Sequence, residues 1–283
     1  MAIQPTPRRL WTLFESVHAL PYFSPEMARA LEKIGLQDFH SGYLAARAAP
    51  LGPVGPATVT ALFYNFSPRS VEAGIPSVWR LTSPEAALAA RVDGAVAALQ
   101  ALGDVAHDRK RIAEAADVAW AAVRAADTGG RALGAANAAL DRPREPLAAL
   151  WLAATALREL RGDCHVVALV MVGLSGLESL LMRVGSDLPN APYQTSRAWT
   201  DQEWSDAREQ LAGRGLVDAT GSVTDAGRSL LREAEAITDR LAAQPWAAVG
   251  TAATVRFAER IGPLARAAVD AWPPEVSIGL ENG

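Results

Sequence analysis

The sequence predicts an all-α protein with a small β wing. In this reading an N-terminal helical bundle over residues 1–145 is fused to a second helical part over 146–283. Three observations carry the prediction. Apolar residues recur at helical spacing through most of the chain, Ser/Thr–Pro pairs repeatedly mark helix starts, and only one segment pairs short β-branched runs across a glycine turn.

The elements follow in order. Thr6-Pro7 supplies an N-cap and a first helical residue, and Leu10, Leu13, Phe14 and Val17 then fall at i, i+3, i+4 and i+7 before Pro21 ends the helix. Ser24-Pro25-Glu26 repeats the start signal and Gly35 gives the stop. Residues 48–56 (AAPLGPVGP) are too rich in proline and glycine to hold a regular helix. The apolar run 58–66 (TVTALFYNF) reads as helix, with a short strand as the alternative. Ala-rich periodic segments follow over 83–102, 107–126, 145–160 and 164–183, with Gly162 read as the stop of one helix and Asp163 as the N-cap of the next. Residues 187–196 (DLPNAPYQTS) read as a polar linker. Thr200 and Glu203 then form a capping box, opening a helix to about Ala212. Leu216-Val217 and Val223 flank a turn through Gly221, and helices near 224–243 and 252–271 close the chain. Helix, short strand, glycine turn, short strand, helix is the order of a winged helix.

Composition bounds the setting. Of 283 residues, 50% are hydrophobic and 20% charged, which is incompatible with a disordered chain. The longest apolar stretch, Val166–Leu174, is well short of the roughly 20 residues of a membrane span. With no signal-like start and a single cysteine, Cys164, the expected compartment is the cytoplasm and no membrane partner is expected. The 27 Lys and Arg stand against 31 Asp and Glu, for a net charge of −4, so no global cationic surface is present to displace counterions from DNA.

The run REQLAGRGLVDATGSVTDAGRSLL resembles the end of a MarR-type winged helix, in which LxxRGLV precedes the wing and LTxxGRxLL follows it. Leu211, Arg214, Gly215, Leu216, Val217, Thr224, Gly227, Arg228 and Leu231 carry the match, while Val223 replaces the usual Leu and the wing lacks basic residues. Over nearly its full length the chain also resembles an actinobacterial helix-turn-helix family. RRLWTLFESVHALPYF, AARAAPLGPVGPATVTALFYNFSP, LRELRGDCHVVALV and RAWTDQEW are the matching motifs. The resemblance implies a ligand-responsive regulator and a homodimer paired through terminal helices. The residues argue against DNA reading. Asp201, Glu203, Asp206 and Glu209 face Arg208 alone on the helix that would enter the groove, with Arg197 and Arg214 at its ends and Arg183 nearby. DNA is therefore disfavoured as a partner and a small molecule favoured.

Chemistry centres on two of the four histidines. His107 lies in a charged run and His40 in a presumed turn. His165, placed on the first turn of a helix opened by Asp163, is expected to be neutral because the positive helix end disfavours imidazolium. His18 sits at the edge of the first helix's apolar stripe, and both match motif positions of the resembling family. A neutral imidazole ligates a metal ion or haem iron, or acts as a general base. His18 and His165 are accordingly the candidate ligands of a metal or haem, and with Asp163 the candidate catalytic groups. The sharper expectation places both in one cavity between the two halves, walled by Phe23, Tyr43, Phe63 and Tyr64, with Arg47 or Arg161 for an anionic group. The alternative is that these are ordinary core residues. No GxGxxG, P-loop, HExxH or GxSxG motif occurs.

Overall fold

The computed structural model describes residues 5–188 and 192–273. The first helices are α1 (Pro7–Ala19), α2 (Pro25–Glu32), α3 (Phe39–Ala48), α4 (Pro56–Phe63), α5 (Pro68–Gly74) and α6 (Val78–Leu81). Next come α7 (Pro84–Gln100), α8 (Asp104–His107), α9 (Arg109–Ala125), α10 (Ala132–Ala138) and the 26-residue α11 (Pro146–Met171). The chain continues with α12 (Gly176–Val184), α13 (Tyr193–Ser196), α14 (Asp201–Gly213), α15 (Asp225–Ala242), α16 (Gln244–Val249) and α17 (Thr251–Asp270). The all-α expectation holds, and no strand forms among the described residues.

Most starts are locally specified. The side chains of Thr6, Ser24, Ser83, Thr200 and Thr224 each accept a hydrogen bond from a backbone amide three residues on. Residues 58–63 are helical. Of the expected linker, 189–191 lie outside the described residues, and 193–196 form one helical turn.

Two sequence expectations are corrected. The wing is reduced to one antiparallel bridge between Val217 and Val223. Residues 218–222 spend their hydrogen bonds on a turn around the Asp218 carboxylate, and the Val223 amide donates to Gly185 O at the end of α12 (3.0 Å), so no ladder extends. The second correction concerns α11, which runs unbroken through Gly162 and Asp163. Asp163 Oδ2 instead accepts the Gly134 amide (2.8 Å) in the first turn of α10, whose own N-cap residue Arg131 makes no capping bond. Asp163 caps a helix, but a neighbouring one. The helix axis breaks ten residues later, where Gly173 takes φ +69° and Ser175 with Glu178 forms a capping box for α12.

Buried apolar residues gather in two clusters. One joins α1–α11 with α16 and α17 through Phe14, Trp151, Trp246 and Phe257. The other joins the end of α11 with α12, α14 and α15 through Leu174, Met182, Leu211 and Ile237. α11 belongs to both. At the α11–α12 corner, Tyr64 Oη donates to Leu174 O, and a Cβ on Gly176 would lie 1.9 Å from Tyr64 O, so only glycine permits the approach. No single helix among the described residues is long and apolar enough to cross a membrane.

A buried ion-pair network ties α3 to α11. Arg47 donates to both oxygens of Glu159 (3.0 and 2.9 Å), and Arg158 adds a third bond (2.8 Å). Burial alone raises the carboxyl pKa, but the Arg158 and Arg47 guanidiniums outweigh it and hold Glu159 well below the usual range. Glu159→Ala leaves the buried Arg47 unpaired and is expected to cost about 3–5 kcal/mol in denaturant unfolding. A loss below about 1 kcal/mol contradicts this assignment.

Candidate functional site

α1 and α11 lie side by side, and their facing stripes open on a cleft of about 390 Å³. Arg8, Trp11, Glu15, His18 and Tyr22 line it at steps of three or four residues from α1 and the turn after it. From α11 come Arg158, the adjacent Arg161 and Gly162, His165 and Leu169, on one face of the helix. α12 and α15 close the far side with Ser179, Arg183, Leu231 and Glu235, and Tyr43 and Arg197 stand at the other end.

Both candidate histidines line this cleft in the same chemical state. His18 Nδ1 lies 3.0 Å from Thr155 Oγ1, and that hydroxyl donates its only proton to Trp151 O (2.9 Å). Towards His18 it therefore accepts, so Nδ1 carries the ring proton and Nε2 the lone pair. The arrangement repeats at the other end. His165 Nδ1 lies 3.0 Å from Thr238 Oγ1, whose proton goes to Ala234 O (2.7 Å). Burial, reinforced by Arg158, keeps the His18 pKa well below 6.5. Burial likewise lowers His165 to about 4, with Glu235 opposing. His165 is held neutral as the sequence predicts, but by desolvation in mid-helix rather than by a helix terminus.

The remaining sequence candidates divide. Phe23, Tyr43 and Arg161 line the cleft. Arg161 is already engaged, its Nη2 bonding Glu235 (2.8 Å) and Asp239 (3.1 Å). Arg47, Phe63 and Tyr64 do not line it. Arg47 belongs to the Glu159 network, with its guanidinium 4.1 Å from the Phe63 ring centre, and Tyr64 braces the α11–α12 corner. Asp163 faces α10, not the cleft, and burial pushes its pKa up to about 6. His40 opens α3 instead of sitting in a turn, and its Nε2 meets Ser70 O at 2.6 Å. Among the described residues, no three His, Cys, Asp or Glu side chains converge as a metal site.

Sequence reasoning missed Thr155, Thr238, Trp11, Arg158 and Glu235. The cleft-facing members of α1 show a readable signal, since Arg8, Trp11, Glu15 and His18 follow one helical stripe. The threonines gave none, because each belongs to a different helix from the histidine it orients.

α12 and α14 pack on one another and on α15 through the second apolar cluster. The N-terminal end of α14 is bonded to the N-terminal part of the chain. Ser67 N–H donates to Arg197 O (3.2 Å), Ser67 Oγ to Ala198 O (3.0 Å), Trp199 Nε1 to Asn65 O (3.1 Å), and Arg69 pairs with Glu203. Arg183 pairs with Asp187 (2.9 Å), Arg214 with Glu178 (2.9 Å), and Arg208 donates to Ala219 O (2.6 Å).

These features define a helical protein with a helix–turn–helix element set against a histidine-lined cleft. The chain matches the model of a helix-turn-helix family over residues 7–274 and belongs to that family. No curated protein and no solved structure matches it.

Two predictions follow from α11. A Cβ on Gly162 meets nothing closer than 3.7 Å, and glycine inside a helix costs about 0.5–1 kcal/mol relative to alanine. Gly162→Ala is expected to stabilise the chain by about that amount in urea melts, while placing a methyl in the cleft. Asp163 has its folded pKa above the ordinary 3.8, so the native state binds the extra proton and loses stability as pH rises through about 6. Asp163→Asn does not titrate, and its melting temperature relative to the native chain is expected to climb from about pH 4 to about pH 7. A flat difference refutes the assignment.

Proposed function

We propose that this chain binds a small molecule in the cleft between α1, α11, α12 and α15, with His18 and His165 as its polar anchors. The observation that carries the reading is the repeated His–Thr–carbonyl relay. Each relay fixes the Nδ1–H tautomer and leaves an Nε2 lone pair without a hydrogen bond among the described residues, on one shared cleft. Such nitrogens accept hydrogen bonds from ligand O–H or N–H groups, and they are also competent proton acceptors. The trapped tautomers cost burial without gaining a protein partner, a pattern common at binding sites.

In this reading the helix–turn–helix element serves as a wall of the site. The order α12, α14, short turn, α15 is that of a MarR-type winged helix whose wing is cut to one bridge. Its would-be reading helix is acidic and its arginines are spent on internal partners. A second reading, a ligand-responsive DNA-binding regulator, has the family membership in its favour. It requires Arg183, Arg208 and Arg214 to leave their carboxylate and carbonyl partners for phosphates.

A thermal-shift screen of the full chain against small metabolites separates the two. Compounds that raise the melting temperature are expected to lose that effect in His18→Asn and in His165→Asn, but to keep it in His107→Asn, which lies on the surface. Shifts that survive both cleft substitutions refute the proposal. Salt-sensitive, sequence-selective binding to duplex DNA favours the regulator instead.

A further inference from the structure

Five arginines line the cleft, and four of them are neutralised inside the protein. Arg8 and Arg161 converge on Glu235 (2.6 and 2.8 Å), Arg158 bonds Glu159 (2.8 Å) and lies 3.4 Å from Glu15, and Arg183 pairs with Asp187. Arg197 is different. Among the described residues no carboxylate lies within ion-pairing distance of it, and its Nε is buried without a hydrogen-bond partner. Its guanidinium carbon sits 3.6 Å from the Phe66 ring centre.

Arg197 is also held in place. The Ser67 amide and hydroxyl donate to the Arg197 and Ala198 carbonyls and the Trp199 indole donates to Asn65 O, which holds residues 197–199 in place, and Ala198 takes φ +54°, a left-handed conformation that a non-glycine residue adopts only under constraint. Burial lowers the Arg197 pKa, with the Tyr43 and Tyr193 hydroxyls nearby opposing the shift. An aromatic face offsets part of the cost of a desolvated cation but supplies no opposite charge. The Phe66 ring centre lies 3.6 Å and the Tyr193 ring centre 5.9 Å from the guanidinium carbon, and the Tyr43 hydroxyl is within hydrogen-bonding reach, so without a carboxylate partner the fork keeps N–H groups for a planar oxyanion, the bidentate geometry guanidinium favours.

We propose that Arg197 docks a carboxylate or phosphate group of the cleft ligand, while O–H or N–H donors elsewhere on that ligand reach His18 and His165. The ligand class is then a small hydroxy or amino acid, or a phosphate ester, of a size matching a cleft of about 390 Å³. This rests on the cleft being a ligand site, as proposed above.

The test compares the full chain with Arg197→Gln, using 4-hydroxybenzoate, its neutral amide 4-hydroxybenzamide and inorganic phosphate as probes, each against sodium chloride at matched ionic strength. Calorimetry is expected to show 4-hydroxybenzoate or phosphate binding at least about tenfold more tightly than the amide. Arg197→Gln is expected to erase that preference. In chloride alone it is expected to melt no lower than the native chain, because it removes an unpaired cation. A carboxylate response assigns the first source of the oxyanion, and a response to phosphate alone assigns the second.

Three results overturn the proposal. Neither 4-hydroxybenzoate nor phosphate outbinds the amide, the oxyanion preference survives Arg197→Gln, or Arg197→Gln fails to fold, which makes the cation structural. If neither oxyanion outbinds the amide but acid and amide both weaken in His165→Asn, the oxyanion site falls while the cleft reading stands. If no probe binds, and the metabolite shifts above also survive the histidine substitutions, both fall together.

Discussion

Asp163 accepts an amide hydrogen from the first turn of α10, so its carboxylate serves a neighbouring helix rather than capping its own, and α11 runs unbroken across the Gly–Asp pair. The two helices meet closely because residue 134 is glycine. A Cβ there would come within 2.8 Å of Leu160 backbone. With α11 unbroken, Thr155 and His165 lie ten residues apart on one rod, about 15 Å along its axis. That places an acceptor for His18 and the second imidazole on a fixed frame. A break at 162 would let the two ends rotate independently, and neither the cleft nor the paired tautomers would be defined.

The same frame sorts what was legible in the sequence from what was not. Helix starts were legible because a Ser or Thr cap bonds an amide only three residues on, so the information is local. The unbroken α11 was not, because the competition between an Asp cap in cis and an Asp cap in trans is decided by where α10 packs. The capping box at Ser175 and Glu178 was equally local, yet it was obscured by the apolar run around it. Of the site, His18 and His165 stood out as imidazoles near apolar stripes. Their partners Thr155 and Thr238 are separated from them by 137 and 73 residues and carry no mark of their role. Arg47 was read as an anion binder by residue type alone, and its bidentate pairing with Glu159 shows how tertiary contact reassigns a charge.

Tertiary contacts also decide what the acidic helix α14 presents. A helix–turn–helix motif exposes the N-terminal end of its second helix. Here that end carries Glu203, which closes its own capping box and also receives Arg69. The bonds from Asn65 and Ser67 turn the segment 197–199 inward, so Arg197 points to the cleft rather than away from the protein. The bonds that hold residues 197–199 against Asn65 and Ser67 also set Arg197 on the wall of the cleft that His18 and His165 line.

Local rules are broken in three ways along this cleft: a glycine inside a helix at 162, a buried guanidinium without a counter-ion at 197, and two neutral imidazoles with an open lone pair. Each costs stability where an alanine, a neutral side chain or an apolar residue would not. Away from the cleft, the buried Arg91 also has no carboxylate, but it donates to Ala46 O and to Asn137 Oδ1 (both 3.0 Å). A defect at one site is noise, but three on the walls of one cavity, each leaving room or an unsatisfied polar group on the same side, point to a cavity shaped for an occupant.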